Sequence, residues 1–489
     1  YNALGHAYIY KYRYHLLVQE TNRNGLSFYF AYDGIDKDAY CVRTWGDGGI
    51  YDHVLTYDKQ NNMTIVENSL GYKTTYFMDR AGSVVKIIDA KGGQTEYEYD
   101  EDFQKISEKD PIGNTKKFKY DSAGNTIEII DPDGTKLSFY FNKYNLPVKA
   151  RDKMGGEWEW EYDDRLRLVM KKDPLDRVSR FSYGEKFLTS FTDPAGFITL
   201  AKFDNQGNLC FIRTPDEAIS TYRYDLLGRC LTITDPKQNR REIVFDILGQ
   251  IKRIREPDLN TRKFRYDPEG NTIHAQDKQY DVRFVYGGMN KMSARIQNNT
   301  KVSFRYDTEE QLVSIENEHG SVYSFELDPK GDVLIESGFD SIKRIYTRDM
   351  GGQVTRIERP DNLFTENTYD PMGRVISLFH SDESSETFTY REDGELIRAK
   401  NSDVTVKLER NVLGAVIKES QNEYWIKSVY AALGFRISIS SSLGAHQDIT
   451  RNAMGDVEGV SYTTKNSIEL SSPWKTRFKR DLAGLEIQR

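Results

Sequence analysis

The chain has 489 residues, of which 68 are Lys or Arg and 75 are Asp or Glu, giving a net charge of −7 with the two signs finely interleaved. No basic face is visible, so the sequence carries no electrostatic footprint for nucleic acid, and no apolar run approaches the ~18 residues of a transmembrane helix. Hydrophobic residues make up 38%, lean for a solid core of this length and suited to a thin wall in which 32 Tyr and 24 Phe supply most of the packing.

Residues 1–50 are out of phase with the rest of the chain. Tyr1-Asn2-Ala3-Leu4-Gly5 and Asn22-Arg23-Asn24-Gly25 read as turns, but the interval from Asp36 to the next turn is too long. This region is expected to be an irregular cap with partial repeats, since a repeat array needs an atypical end to cover its strand edge. A docking surface for an upstream delivery module is the sharper alternative.

From 51 to 455 one signature recurs, Tyr-Asp-x-x-Gly, as at Tyr120-Asp121-Ser122-Ala123-Gly124, Tyr224 to Gly228, Tyr266 to Gly270 and Tyr369 to Gly373. Taking the Gly as anchor, twenty positions from 61 to 455 are spaced by 20 or 21 residues. A fixed period in this range defines a repeat architecture. A second turn of the form Asp-Pro-x-Gly sits midway, as at Asp110 to Gly113, Asp131 to Gly134 and Asp193 to Gly196. Turn signals every 10 or 11 residues imply hairpins of short strands, and no run is long enough for a helix. In each turn Asp caps the backbone ahead and Gly accepts the left-handed conformation. Asn61, Asn145 and Asn290 stand at anchors that lack Gly and suit that conformation. Phe103, Leu166, Phe187 and Glu310 do not, so altered turns are expected there.

Aromatic-polar-aromatic triplets such as Phe118-Lys119-Tyr120 and Tyr222-Arg223-Tyr224 precede the turns. This alternation predicts an antiparallel sheet with one packed and one wetter face. The fold class is therefore all-β, a long antiparallel ribbon of about 40 short strands. At ~4.8 Å per strand it runs roughly 190 Å. Strand twist must coil such a ribbon, and a hollow shell is the natural result. From 456 to 489 the spacing of anchors 455 and 484 exceeds one period, which predicts an insertion leading into a further repeat turn.

No catalytic, binding or metal residue stands out. The histidines, His6, His15, His53, His274, His319, His380 and His446, form no metal-ligand spacing, and Asp131-Pro132-Asp133-Gly134 lacks the alternate ligands and distal Glu of a calcium loop. Trp158 and Trp160 share one face of a strand; wall packing is favoured over a sugar platform. Cys41, Cys210 and Cys230 make no disulfide framework and are expected to be free thiols, as in a chain folded in a reducing cytoplasm. No cofactor is expected.

The phased Tyr-Asp turns, together with Arg43-Thr44-Trp45-Gly46-Asp47-Gly48-Gly49 and Arg480-Asp481-Leu482-Ala483-Gly484-Leu485-Glu486, resemble the RHS (YD-repeat) proteins along essentially the whole chain. The resemblance implies a β-cocoon that encloses a C-terminal toxin domain, delivered by type VI secretion, as a Tc-type component or as a cell-surface polymorphic toxin. It implies the enclosed toxin as partner, a secretion spike, adaptor or chaperone as a further one, and neither nucleic acid nor membrane insertion. It also implies synthesis in a bacterial cytoplasm followed by secretion or surface display. The alternative is a teneurin-like adhesion or carbohydrate-binding surface protein. Both ends cut through repeats and the autoproteolytic core motif is absent, so this stretch is expected to be non-enzymatic and part of a longer or processed protein.

Overall fold

The structure is a computed structural model that describes residues 1–464, 474–481 and 484–488. The described residues hold 47 strands, 45 of them in one antiparallel sheet, and the two helical turns present, Asp47–Gly49 and Pro360–Asn362, are single 3₁₀ turns. Successive strands pair with each other in chain order, and the sheet does not close into a barrel. Its first strand, Ile9–Arg13, pairs with Leu16–Thr21, and its last, Trp474–Arg477, with Val457–Thr464. The 21-residue period resolves into a six-residue strand, a turn, a five-residue strand and a second turn, as in Lys73–Met78 and Val84–Ile88. Helix cannot compete, because a cap and a left-handed residue interrupt the chain every ten residues or so.

The turns show the expected chemistry. Asp225 N donates to Arg229 O at 3.0 Å and Gly228 N donates to Asp225 O at 3.1 Å. The Asp225 carboxylate accepts from Leu227 N at 2.9 Å and Arg229 N at 3.0 Å, and Gly228 sits at φ 75°. This is a three-residue hairpin loop in which the last residue is left-handed. The anchors without Gly divide differently from the expectation. Phe103 (φ 60°), Leu166 (φ 62°) and Glu310 (φ 53°) keep the left-handed turn unaltered, with their amides bonded back to Asp100, Asp163 and Asp307. The capping aspartate and the flanking register override the Cβ penalty of roughly 1–2 kcal/mol. Phe187 does depart: Gly184 N bonds Phe187 O instead. Asn145 and Asn290 are left-handed as expected, whereas Asn62 rather than Asn61 takes that role in its loop.

A register shift accompanies most Tyr-Asp turns. Arg223 pairs with Thr232 but Tyr224 with Cys230, leaving one extra residue on the second strand. On the other side of Tyr224's strand, the ladder between Leu209–Arg213 and Ile219–Tyr224 starts only at Phe211, which pairs with Thr221. The tyrosine fills the gap at Leu209. Tyr224 Oη donates to Leu209 O at 2.8 Å, fifteen residues back. Tyr99, Tyr162, Tyr266 and Tyr390 repeat the bond to Val84, Pro147, Ile251 and Val375 at 2.8–3.1 Å. Burial pushes the Tyr162, Tyr224 and Tyr266 phenols up, which keeps them protonated as donors. Where Arg replaces Tyr, the guanidinium makes the same bond: Arg410 Nε to Leu396 O at 2.9 Å and Arg451 Nε to Arg436 O at 3.0 Å.

No second layer of structure covers this sheet among the described residues. Its buried apolar side chains are Ala150, Met170, Ala218, Val282 and Ala294, and no large side chain among them is under 2% exposed. The accessible surface is 30025 Å² for a chain of 56.6 kDa. A compact globular protein of that mass would expose roughly 18,600 Å². The alternation still shows, with Tyr222 and Tyr224 half-buried and Arg223 between them exposed, but the less exposed face is not packed under a second layer. On one face Tyr222, Tyr224 and Ile233 lie side by side; on the other, Arg223 and Glu242 flank the buried Thr232.

Two substitutions test the tyrosine bond and the left-handed turns. Tyr224→Phe strands the Leu209 carbonyl and should lower local stability by about 1 kcal/mol, read as faster hydrogen exchange in Ile219–Tyr224 and Cys230–Thr234 only. Leu166→Gly relieves a left-handed side chain and should slow exchange around Asp163–Arg167 by the equivalent of about 1 kcal/mol.

Candidate functional site

Several of the residues singled out in the sequence are engaged in pairings within the sheet. His53 meets Glu309 at 3.0 Å, His274 meets Asp281 at 2.8 Å and His446 meets Asp448 at 3.0 Å. Among the described residues no group of three or more His, Cys, Asp or Glu could hold a metal. Asp131 is paired with Lys153, and Asp133 accepts from Thr135 Oγ1 and faces Arg374 at 3.4 Å. Trp158 Nε1 donates to Asp152 at 3.2 Å, with Lys171 over its ring at 4.9 Å. All three cysteines are free.

What the structure brings together instead is one sheet edge with another. The chain divides into two compact units. In each, the ribbon lies alongside a stretch of itself about 240 residues away. In the first unit, residues 1–117 meet residues 243–367. Asn24 Nδ2 donates to Asp267 at 2.9 Å, and Arg23 N to Glu269 at 2.7 Å. Lys91 pairs with Asp328 at 2.8 Å while Lys330 pairs back with Asp89 at 3.0 Å. In the second unit Arg374 faces Asp133, Arg177 Nη1 donates to Ala432 O at 2.9 Å, and Lys237 pairs with Asp481 at 2.8 Å. In each case a midway turn of the earlier run, mostly of the Asp-Pro type, meets a Tyr-Asp-type turn of the later one. Such a seam is invisible to sequence reasoning, because partners such as Lys91 and Asp328 are separated by 237 residues.

The densest part of the seam is centred on Glu309. Its carboxylate accepts from Ser69 N at 2.8 Å and Ser69 Oγ at 2.6 Å and meets His53 Nε2. Burial alone would raise this carboxyl, but the Ser69 donors and His53 outweigh it and hold it below the usual range. Asp328 is likewise buried, and Lys91 and two backbone amides bring it down. The Arg43 to Gly49 motif braces this region. Arg43 grips Asp52 through two bonds of 2.8 and 2.7 Å and covers the Trp45 ring at 4.8 Å. A Cβ on Gly46 would meet the Ile50 side chain at 2.6 Å and the Phe28 ring at 2.9 Å, so any larger residue would displace them. The chain then turns so that Tyr51 N donates to Thr308 O across the seam at 2.8 Å.

Val457–Thr464 pairs with Trp474–Arg477, and residues 465–473 of the expected insertion lie outside the described residues. Arg480 Nε still reaches Val457 O at 3.1 Å, the bond that Tyr390 and Arg451 make in their own repeats, here across 23 residues. The turn bond of the repeat returns there, with Gly484 N donating to Asp481 O at 2.9 Å. A groove of about 1300 Å³ lies beside this hairpin, lined by Trp474, Arg477, Phe478 and Asp216 among others.

Depressed carboxyl pKa values set a pH dependence. Glu309, Asp328 and the turn acid Asp267 all lie below their ordinary values, so their contribution is complete above that range. It is lost as pH falls through the lowered folded values, below about pH 4. The seam amides of Tyr51 and Ser69 should then lose exchange protection before strand amides do. At neutral pH, Glu309→Gln should raise exchange at Ser69 about tenfold, the equivalent of a charge-assisted hydrogen bond of ~1.5 kcal/mol, while Lys73–Met78 stays protected.

The teneurin YD-shell family model matches residues 198–326. No curated protein matches the chain. Among solved structures, that of TcdB2-TccC3-TEV covers 98% of the chain at 12% identity with a TM-score of 0.63. That of TcdB2-TccC3 covers 94% at 14% identity with a TM-score of 0.50. The Photorhabdus luminescens Tc holotoxin pore covers 94% at 13% identity with a TM-score of 0.45. The chain spans about a third of the length of these structures' chains: 34%, 32% and 31%. Residues 198–326 thus match the teneurin YD-shell model, and the chain as a whole shares the fold of the TcdB2-TccC3-TEV structure.

Proposed function

We propose that this chain forms part of the wall of a container that sequesters a toxin domain until delivery, and that the wall itself catalyses nothing. The observation that carries this is a single sheet with no fully buried large side chain among the described residues, which zips edge to edge with itself in each unit. A sheet of that kind gives an expanse of surface without a core, which suits enclosure better than turnover. The fold shared with TcdB2-TccC3 supports the same reading. The enclosed polypeptide is the partner, with a secretion spike, adaptor or chaperone as the second. The route is cytoplasmic assembly with free thiols, followed by secretion or surface display, with type VI export and Tc-type delivery both compatible with a preloaded container.

The family match bears the name of the teneurin shell, which favours adhesion through the outer surface as the second reading. Limited proteolysis of the full-length protein separates the two. A container protects its downstream domain until the wall is cut, and particle images show density within it. Cleavage of that domain at the rate of the isolated domain, with the wall still intact, would overturn the container and leave adhesion.

A further inference from the structure

Residues 251–283 of the first unit gather positive charge on one face of the ribbon. In the sheet register Arg253 stands directly opposite Lys263, Arg265 opposite His274, and His274 opposite Arg283. Lys263 and Arg265 are two apart on one strand and so share that face. All four Arg and Lys side chains are exposed, and none has an ion-pair partner among the described residues. Asp281, the nearby acid on this face, is occupied by His274 at 2.8 Å.

Facing charges carry opposite signs in several other repeats, although Arg398 also stands opposite Lys407 and Lys418 opposite Lys427. Lys109 stands opposite Glu96 at 3.2 Å, Arg151 opposite Glu157 at 2.9 Å, Arg344 opposite Glu336 at 2.7 Å and Lys418 opposite Glu409 at 2.7 Å. Directly opposed side chains are ~5 Å apart at Cβ, and like charges there destabilise the pair. The sheet thus holds Arg253 against Lys263 at a cost that an opposite sign would remove. The cluster is hidden in the linear sequence because its members come from four strands spaced along some 30 residues, with acids between them in the chain that fall mostly in turns.

We propose that this face is a docking surface for an extended acidic segment of polypeptide. The geometry favours that occupant. Lys263 and Arg265 are spaced by two strand residues, about 6.7 Å, the distance between alternate carboxylates of an extended chain. Single-stranded nucleic acid would call for aromatic platforms among the cations, and no Phe, Tyr or Trp stands opposite Lys263, Arg265 or Arg283 in the sheet. The surface is rigid, because each strand is hydrogen-bonded on both sides, so little ordering accompanies binding.

The test uses the full chain and a fluorescent oligoglutamate peptide at low and high salt, with a DNA oligonucleotide and phosphatidylserine vesicles in parallel. Binding to the peptide, weakened by salt and reduced at least tenfold in the double variant Arg265→Gln with Arg283→Gln, is expected. Lys263→Glu serves as the second variant: it should raise the melting temperature by restoring opposite signs with Arg253, and weaken peptide binding as well. Absence of peptide binding at low salt, equal binding by the variants, tighter binding to the oligonucleotide or the vesicles, or a lower melting temperature in Lys263→Glu would overturn the proposal.

Discussion

The bond from a tyrosine hydroxyl to a carbonyl in the preceding repeat is the constraint on which the ribbon depends. The Tyr-Asp turns insert an extra residue into one strand, and that residue breaks the ladder to the next hairpin. A break recurring every 21 residues would leave a row of unpaired carbonyls along the sheet edge, each costing about 1–3 kcal/mol if buried. Tyr183 to Leu168 and Tyr224 to Leu209 close these gaps one by one. The bulge adds local twist, and the tyrosine makes that twist tolerable. It also explains why the residue is Tyr rather than a plain aromatic. Phe203 and Phe245 occupy the same position in some repeats, so loss of a single hydroxyl is survivable in an array whose stability is a sum over neighbours.

A sheet without a covering layer must find cohesion along its edges as well as within its strands. Exposed ion pairs contribute little individually. Those of the seam differ because the turn geometry buries them: the Asp328 and Glu309 side chains are only 7% and 10% exposed. Asp328 is also the cap of its own turn, accepting from Lys330 N and Asp332 N. One carboxylate therefore both closes a hairpin and fastens it to a run of ribbon 237 residues away. Local turn chemistry and long-range assembly are the same interaction viewed at two scales.

Most of the local structure was legible in the sequence, because it is written in residues no more than four apart. The Asp caps, the Gly positions and the alternation each act within one turn, and their period located the strands throughout 51–455. Three kinds of information were not local. Phe103, Leu166 and Glu310 adopt left-handed turns that their side chains disfavour, since register on both flanks leaves the chain no other closure. The arginines at 348, 410, 451 and 480 stand where tyrosine does elsewhere. Their signal was present, an Arg before Asp or Asn in the same phase, but a search for aromatics passes over it. The seam pairs residues some 240 apart in the chain, a separation that no single motif encodes.

The same distinction bears on where function can lie in such an array. Each repeat is bound by the geometry of its turns and its tyrosine, so those positions have little freedom to serve anything else. The free positions are the alternate strand residues on the polar face, where the repeat demands only solubility and tolerable neighbours. Several of these positions settle into opposite-sign pairs such as Lys119 with Glu128, the outcome that stability alone would favour. Arg253, Lys263, Arg265 and Arg283 have not settled that way. A strained choice at a position that the fold leaves free points to a demand from outside the fold, and the sign of the strain identifies the sign of whatever relieves it.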